Sequence, residues 1–258
     1  MSVNLKISTV GQGQTLVFLH GWGVNSGVWQ PLVNLLKNDY CIVTIDLPGF
    51  GKNHDKLPSP YNIQTVSHAI AEHIPEDCVL VGWSLGGLIA QQIAYDFPHL
   101  LKQLILICSS PQFSKSDDWP GIESNVLALF TQQLTQNFSK TLERFLAIQA
   151  MGSDSARLDV KAIKQNIQQY PEPSEMALKE GLNMLKSVDL REQLKSLHLP
   201  CYLFLGRLDS LVPHSVSELI QNLSPQLNIE IIAKASHAPF ISDTPDFAKR
   251  LKAILLSL

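Results

Sequence analysis

At 258 residues the chain has the length of one large domain, and its 45% apolar and 17% charged residues are typical of a globular protein. The net charge of −3 excludes bulk electrostatic attraction to nucleic acid or to an anionic membrane surface. The first residues lack the basic start and apolar run of a signal peptide, and no apolar stretch is long enough to span a bilayer. We therefore expect a cytoplasmic protein, which we also expect to be a monomer.

Strand and helix patterns alternate along most of the chain. Because strands that alternate with helices form parallel pairs with right-handed crossovers, the sequence predicts an α/β fold with a mostly parallel central sheet. Helices flank this sheet, for example at 29–36, 65–73 and 88–97. The predicted strands are 5–8, 15–19, 41–46, 78–82, 104–108, 201–206 and 228–232.

One long segment interrupts this alternation. Between Cys108 and Cys201 the pattern is helical and amphipathic, and the segment is far too long for a single crossover. We predict a helical cap at 113–188, inserted after a central strand and covering the site, with a core made of 1–112 and 189–258.

The four cysteines fall in or beside predicted strands and read as small buried apolar residues. Their spacing fits neither a metal site nor a disulfide framework, so we expect a reducing compartment and no metal or cofactor. They are Cys41, Cys78, Cys108 and Cys201.

The most informative motif is a G-x-S-x-G pattern made by Gly82, Ser84 and Gly86. An apolar strand precedes it and a helix follows it, which is the setting of a sharp turn that exposes a nucleophilic serine at the top of a sheet. The amides at the start of the helix favour negative charge that develops beside the serine. The alternative is a serine with a structural role in a turn.

An acid and a base should follow the serine in that order. Asp209 comes just after the predicted strand at 201–206, at the edge where α/β sheets place their sites. His237 follows the next predicted strand and has small neighbours. Asp209 could instead cap the helix that begins near Pro213, whereas the other histidines fit surface, helix or cap positions. We predict Ser84 as nucleophile, His237 as general base and acid, and Asp209 as the group that orients the imidazole.

A glycine-containing turn, His20-Gly21-Trp22-Gly23, follows the apolar strand at 15–19. Such a turn leaves the backbone free to present an N–H group, so we predict an oxyanion hole made by the backbone amides of Trp22 and Leu85. We also expect the Trp22 side chain to line an acyl pocket. The alternative is a simple tight turn.

Together these motifs resemble the α/β-hydrolase superfamily over essentially the whole chain. The motifs are His20-Gly21, Asp46-Leu47-Pro48-Gly49-Phe50-Gly51, the stretch 82–87, Asp209 and His237. Further segments in core and cap resemble the pimeloyl-[acyl-carrier protein] methyl ester esterases of biotin synthesis. These segments are His20 to Asn25, Ser109-Ser110-Pro111, Trp119-Pro120-Gly121-Ile122, Phe145 to Gln149 and Ala235 to Ile241.

The closer resemblance implies a reaction and a partner. The methyl ester at the free end of a pimeloyl chain, held on acyl-carrier protein, is cleaved; methanol leaves, and the freed carboxylate ends further elongation. The resemblance also implies a set of substrate contacts, although an ordinary amphipathic cap helix with Phe145 packed inward explains the cap segment equally well. The implied contacts are Trp22, Leu85, Phe145, Leu146, Ala147, Ile148, Gln149 and His237.

Basic residues recur at helical spacing in the cap. Lys140 and Arg144 are four apart, and Arg157, Lys161 and Lys164 follow i, i+4, i+7. The resemblance places Lys140, Arg144, Arg157 and Lys161 at contacts with the acidic carrier protein. Two are Lys where the family has Arg, which keeps the charge but loses the bidentate fork. The alternative is a solvated helix face interrupted by acids, namely Glu143, Asp154 and Asp159.

Three other functions fit the same residues. The first is a general short-chain carboxylesterase, because a shallow channel discriminates weakly among esters. The second is another chemistry of capped hydrolases, such as carbon–carbon bond hydrolysis or perhydrolysis; a dehalogenase is disfavoured because it needs an aspartate in place of Ser84. The third is a receptor without catalysis, against which the complete set of Ser84, Asp209 and His237 argues.

Overall fold

A seven-stranded sheet forms the centre of the computed structural model, which describes residues 3–136, 138–150 and 156–256. The spatial order of the strands is β1-β3-β2-β4-β5-β6-β7, and every neighbouring pair is parallel except β1 with β3. The predicted mostly parallel sheet is therefore confirmed. The strands are β1 Ile7–Val10, β2 Thr15–Leu19, β3 Cys41–Ile45, β4 Cys78–Trp83, β5 Leu101–Ile107, β6 Cys201–Gly206 and β7 Asn228–Ile232.

Helices connect the strands and fill the long segment between β5 and β6. No helix in the described ranges is both long and apolar enough to cross a membrane. Short 3₁₀ turns lie at Ser26–Trp29, Gly51–Asn53 and Pro98–Leu100. The α-helices are α1 Gln30–Leu36, α2 Ile63–Ala71, α3 Leu85–Asp96, α4 Ser124–Gln136, α5 Phe138–Ala150, α6 Ala156–Ile167, α7 Glu175–Ser187, α8 Arg191–Lys195, α9 Val216–Leu223, α10 Pro239–Ser242 and α11 Thr244–Leu255.

Several element boundaries differ from the predicted ones, among them those of β1, β5 and α3. β1 begins at Ile7 because its register is fixed by antiparallel pairing with β3, which a local pattern does not reveal. β5 begins at Leu101, where pairing with β4 starts. α3 begins at Leu85, directly after Ser84, although its first turn contains two glycines that disfavour a helix.

Apolar side chains cover both faces of the sheet, as expected for parallel strands with helices on each side. Val17 and Leu19 of β2 belong to one buried cluster, whereas Leu16 and Phe18 belong to the other. Successive residues of a strand point to opposite faces, so the two clusters are the two faces of the sheet.

An aromatic cluster joins one face of the sheet to the helices that follow the site loops. The Trp29 ring stacks on Phe240 at a centroid distance of 4.2 Å and lies 5.1 Å from Phe18 and 6.3 Å from Trp83. Trp29 is fully buried. It thereby connects β2, β4 and α10, the elements on either side of the site.

The long insertion contains α4 to α7, and its two ends meet. Gln112 pairs with Asp189, and the Leu190 N–H donates to the Pro111 carbonyl at 2.9 Å. In the described part of this segment no strand joins the central sheet. This geometry is compatible with the cap at 113–188, whose extent stays a prediction; Asp154 lies outside the described residues.

We expect Trp29→Ala to lower the free energy of unfolding by about 3 to 5 kcal/mol, the usual cost of deleting a large buried aromatic side chain. Leu35→Ala on the following helix, α1, is the control: Leu35 is 43% exposed, so its loss should cost less than about 1 kcal/mol. Urea denaturation followed by circular dichroism measures both, and equal costs would contradict a stabilising role of the aromatic cluster.

Candidate active site

Ser84 occupies the turn between β4 and α3 with φ 55° and ψ −120°. Only glycine adopts this backbone region at low cost, so the turn stores strain at the serine. Its neighbours must lack side chains, because a Cβ on Gly82 would lie 2.6 Å from the Gly86 carbonyl oxygen. A Cβ on Gly86 would lie 2.4 Å from the His20 carbonyl oxygen. The G-x-S-x-G spacing is thus a steric requirement of this turn.

Hydrogen bonds hold the strained serine on both sides. Its N–H donates to the Ile107 carbonyl of β5 at 3.0 Å. Its carbonyl accepts from the N–H groups of Gly87 and Leu88, at 2.9 and 3.0 Å, and from the Ser109 hydroxyl at 3.0 Å. The neighbouring strand and the first turn of α3 therefore fix the conformation that directs the hydroxyl toward His237.

The structure brings the predicted serine, histidine and aspartate into one hydrogen-bonded line. His237 Nε2 lies 2.9 Å from Ser84 Oγ, and His237 Nδ1 lies 2.7 Å from Asp209 Oδ2. All three residues are buried, with exposures of 2% for Ser84, 5% for Asp209 and 1% for His237. In such a dry setting each hydrogen bond in the line is stronger than it would be in water.

The Asp209 carboxylate is oriented by the backbone. Its Oδ1 accepts from the N–H groups of Leu211 and Val212, at 2.8 and 3.0 Å. The other oxygen, Oδ2, accepts from His237 Nδ1–H at 2.7 Å. The network therefore leaves Nε2 unprotonated and free to accept the serine proton.

The histidine is fixed by its own backbone. The His237 N–H donates to the Gln149 carbonyl at 3.1 Å, and its carbonyl accepts from the Trp83 indole N–H at 2.7 Å. The Ser236 hydroxyl also donates to the Gln149 carbonyl, at 2.9 Å. The end of α5 thus meets the histidine loop directly, which ties the long insertion to the site.

Cys108 lies beside the acid, a position that sequence analysis missed. Ligating atoms of Cys108, Asp209 and His237 lie within 4.8 Å of one another. Burial raises the pKa of the Cys108 thiol, and the negative charge of Asp209 raises it further, so the thiol stays protonated and is a poor metal ligand. The group is therefore better described as a hydrogen-bonded acid and base than as a metal centre. The available signal was position, because Cys108 directly follows β5, which pairs with β6, the strand that precedes Asp209.

Two backbone amides near the serine turn are the predicted oxyanion donors. The N–H groups of Trp22 and Leu85 have no acceptor within the described part of the chain. Leu85 is the first residue of α3, where amides are unpaired and the helix dipole favours negative charge. Gly21 brings the other loop close, since a Cβ there would lie 3.2 Å from Ser84 Cβ. These amides could stabilise an oxyanion formed at the serine.

Two residues predicted to contact the acyl chain, Leu85 and Phe145, lie near the Trp22 ring. Its indole N–H donates to the Leu178 carbonyl at 2.8 Å, and its ring meets the edge of Phe145 at a centroid distance of 4.6 Å. A Cβ on Gly181 of α7 would lie 2.8 Å from Trp22 and 3.3 Å from the Leu85 side chain. Trp22, Leu85 and Phe145 thus share one apolar neighbourhood.

The rest of the predicted cap contacts are spread around α5. Leu146 packs into the opposite apolar cluster, Ile148 is partly buried and Ala147 is exposed, so their contact with substrate stays a prediction. Gln149 is fully buried, and both polar atoms of its side chain lack a hydrogen-bond partner in the described ranges. A buried amide left unsatisfied is costly unless a ligand or water meets it.

The basic residues predicted to meet a carrier protein lie on the surface of the insertion. Lys140, Arg144, Arg157 and Lys161 are all exposed. The acids expected to interrupt them are partly engaged elsewhere. Glu143 pairs with Lys164 at 2.6 Å, and Asp159 is buried and accepts from the Ser242 hydroxyl at 2.8 Å. Glu143 nevertheless stays 61% exposed, so the surface of α5 and α6 carries both positive and negative charge.

The fold and the site define an α/β hydrolase with a serine–histidine–aspartate arrangement. The sequence model of a family described as alpha/beta hydrolase fold matches residues 14–244. Among solved structures, an esterase from Exiguobacterium antarcticum superposes with a TM-score of 0.88 at 21% identity, covering 98% of this chain and 95% of that one. A bromoperoxidase from Bacillus anthracis gives a TM-score of 0.84 at 19% identity, covering 96% and 94%.

Curated relatives match almost end to end. A protein of Pseudoalteromonas atlantica is 51% identical over 96% of both chains, and one of Vibrio parahaemolyticus is 42% identical over 98% of both. A protein of Aeromonas hydrophila is 44% identical over 95% of this chain and 96% of its own. All three are named pimeloyl-[acyl-carrier protein] methyl ester esterase. The chain belongs to this family of α/β hydrolases.

We expect the Ser84→Gly protein to have a higher free energy of unfolding than the Ser84→Ala protein, by on the order of 1 kcal/mol. Glycine relieves the strain of this backbone conformation, whereas alanine keeps it. The entropy that glycine adds to the unfolded chain offsets part of this gain. Thermal and urea unfolding of the two variants test the prediction. A Ser84→Gly protein less stable than Ser84→Ala would show that the turn is not strained.

Proposed function

We propose that this chain is a serine carboxylesterase that hydrolyses the methyl ester of pimeloyl-acyl-carrier protein to pimeloyl-acyl-carrier protein and methanol, in biotin biosynthesis. The observation that carries the chemistry is the buried line of Ser84, His237 and Asp209, with gaps of 2.9 and 2.7 Å. The choice of substrate is supported by relatives up to 51% identical that carry this name over nearly the full length of the chain.

In the acylation step, Ser84 Oγ attacks the carbonyl carbon of the ester while its proton passes to His237 Nε2, 2.9 Å away. The carbonyl oxygen becomes an oxyanion, and the amides of Trp22 and Leu85 are positioned to donate to it. Asp209, held 2.7 Å from Nδ1, stabilises the imidazolium. When the tetrahedral intermediate collapses, the carbon–oxygen bond to the methoxy group breaks, and the imidazolium protonates that oxygen to release methanol.

In the deacylation step, water replaces methanol beside His237. The imidazole accepts a proton from this water, whose oxygen attacks the acyl-serine carbonyl, and the same oxyanion donors act again. Collapse breaks the bond to Ser84 Oγ, which regains its proton from His237. The product is a carboxylate, so the acyl chain ends in a charged group, and this charge is what ends further elongation.

The acyl chain is proposed to lie between the oxyanion loop and the insertion. Apolar contact from Trp22, Leu85 and Phe145 suits the methylene groups of a pimeloyl chain. The unpartnered amide of Gln149 suits a polar atom of the substrate or the hydrolytic water. Leu146, Ala147 and Ile148 complete the proposed segment, and the reaction requires no cofactor.

The carrier protein is proposed to dock on the exposed face that carries Lys140, Arg144, Arg157 and Lys161. An acidic partner complements this positive charge, which speeds encounter more than it strengthens the complex. We further propose that the protein acts as a monomer in the cytoplasm.

The direct test is incubation of the protein with pimeloyl-acyl-carrier protein methyl ester, followed by the intact mass of the carrier protein. We expect the mass to fall by one methylene and methanol to appear. A ratio of kcat/KM near one for the carrier-bound and the free methyl ester would favour a general carboxylesterase. Binding with no turnover of either ester, or of a nitrophenyl ester, would favour a receptor.

We expect Ser84→Ala and His237→Ala each to lose on the order of 10⁴-fold or more in kcat, and the double variant to be little worse, because the two groups act in one step. Asp209→Asn should remain folded but slow turnover, since the amide favours the wrong imidazole tautomer. Steady-state kinetics on a nitrophenyl ester measure the effects, with circular dichroism as the control for folding. Losses that multiply in the double variant would contradict the shared step.

We expect Arg144→Glu combined with Arg157→Glu to raise KM for the carrier-bound ester and to leave a small free ester unaffected. The effect should shrink with added salt, because surface charges are screened over roughly 10 Å at 0.1 M. Lys37→Glu with Lys195→Glu is the matched control, since both residues are exposed and the net charge changes equally. An equal rise in KM with the control pair would mean that net charge, rather than the docking face, is responsible.

A further inference from the structure

His20 is a buried polar residue that the proposed mechanism does not use. Its ring is 0% exposed and makes two hydrogen bonds, both to backbone groups. The Leu47 N–H donates to Nε2 at 3.0 Å, so Nε2 carries no proton. Nδ1 lies 2.8 Å from the Gly21 carbonyl oxygen, which can only accept, so Nδ1 carries the proton. The backbone on both sides of the ring therefore selects one neutral tautomer.

The Gly21 carbonyl belongs to the same peptide unit as the Trp22 N–H. Because a trans peptide is planar, its C=O and N–H point in opposite directions. The bond from His20 Nδ1–H thus fixes the Gly21 carbonyl and, with it, the direction of the Trp22 N–H on the other side of the peptide. This N–H is one of the two near the serine turn that have no acceptor in the described part of the chain.

This peptide needs such a restraint because Gly21 precedes it. The loop passes so close to Ser84 that a Cβ at position 21 would lie 3.2 Å from the serine Cβ. Glycine solves the steric problem, but it also permits backbone angles that would let the following peptide rotate. In the rotated form a carbonyl oxygen would face the reacting ester, and His20 Nδ1–H would be buried without an acceptor.

His20 is itself held by the loop that follows β3. Besides the Leu47 N–H, its ring meets the edge of Phe50 at 5.6 Å, and Nε2 lies 3.8 Å from Asp46 Oδ1. Burial lowers the pKa of the imidazole, and the nearby Asp46 only partly opposes this. The Asp46 carboxylate in turn accepts from the Ser26 N–H at 2.6 Å. The two loops therefore brace each other at the edge of the site.

We propose that His20 is a positioning residue that holds the Gly21–Trp22 peptide in the orientation needed to stabilise the oxyanion. It touches neither the ester nor the serine hydroxyl and acts only through the Trp22 N–H. The proposal rests on the proposed esterase mechanism and adds to it the group that keeps one oxyanion donor in place before substrate arrives.

Two variants separate the two bonds of the ring. In His20→Asn the side-chain amide reaches the place of Nδ1 and can still donate to Gly21. In His20→Gln it reaches the place of Nε2 and can accept from Leu47 but loses Gly21. We expect His20→Gln to lose about tenfold to a hundredfold in kcat on a nitrophenyl ester with little change in KM, somewhat less than the loss of a whole oxyanion donor. His20→Asn should keep most of the rate.

A second readout reports the oxyanion itself. A trifluoromethyl ketone adds to the serine and forms an anionic hemiketal, so its affinity should fall in His20→Gln by the same factor as kcat/KM. His73→Gln is the matched control. His73 makes the same pair of backbone contacts just after α2: its Nε2 accepts from the Leu5 N–H at 3.0 Å, and its Nδ1 lies 2.9 Å from the Ala69 carbonyl oxygen. This control should leave both rate and ketone affinity unchanged.

Three results would overturn the proposal: parental kcat in His20→Gln, a rate lost as much in His20→Asn as in His20→Gln, or a slower rate with unchanged ketone affinity. If His20→Gln does not fold, His20→Asn decides, because it keeps the Gly21 bond and should keep both the rate and the ketone affinity. Ser84→Ala, assayed on the same ester, distinguishes failure of this proposal from failure of the esterase mechanism. Turnover without the serine would refute the esterase mechanism, whatever the role of His20.

Discussion

The structure depends above all on the strained turn at Ser84. A residue with φ 55° and ψ −120° is held there by β5 on one side and by the first turn of α3 on the other. Gly82 and Gly86 cannot carry a side chain, because each packs directly against backbone. The sheet therefore acts as a rigid frame that fixes a serine in a costly conformation, and the cost is borne by the packing of the whole core.

The hydrogen-bonded line of Ser84, His237 and Asp209 is buried within this fold. The Asp209 carboxylate has its acceptor sites occupied by two backbone amides and by His237, which leaves the imidazole poised to take one proton. Burial makes this electrostatic arrangement stronger than it would be in water. The insertion contributes to this burial, because the Gln149 carbonyl near the end of α5 accepts a hydrogen bond from the His237 N–H and covers that side of the site.

Sequence analysis predicted the parts of the fold and site that depend on local pattern. β6 and β7 end where their apolar runs end, and the loops after them carry Asp209 and His237 to one place because parallel strands present their carboxyl ends together. The start of α3 was not predicted because Gly86 and Gly87 disfavour a helix. In the structure these two glycines are required by close packing against neighbouring segments. β1 was misplaced because its partner, β3, decides its register.

Contacts between distant segments could not be predicted in the same way. The approach of Cys108 to Asp209 depends on β5 lying beside β6, which is a property of topology rather than of either motif. From the sequence, Asp159 is predicted to be a surface charge on a polar helix. In the structure it is buried, and its carboxylate accepts a hydrogen bond from the hydroxyl of Ser242, which is distant in sequence. The role inferred for His20 likewise needs Leu47 from another loop, whose N–H decides which ring nitrogen is protonated.

Labelling with a fluorophosphonate, followed by intact-protein mass and peptide mapping, tests most directly whether this buried line activates Ser84. The account predicts one adduct per chain, located on Ser84, with complete loss of ester hydrolysis as the adduct forms, and no labelling of the His237→Ala protein at a comparable rate. An adduct on another residue that abolishes hydrolysis, or hydrolysis that persists in fully labelled protein, would contradict it.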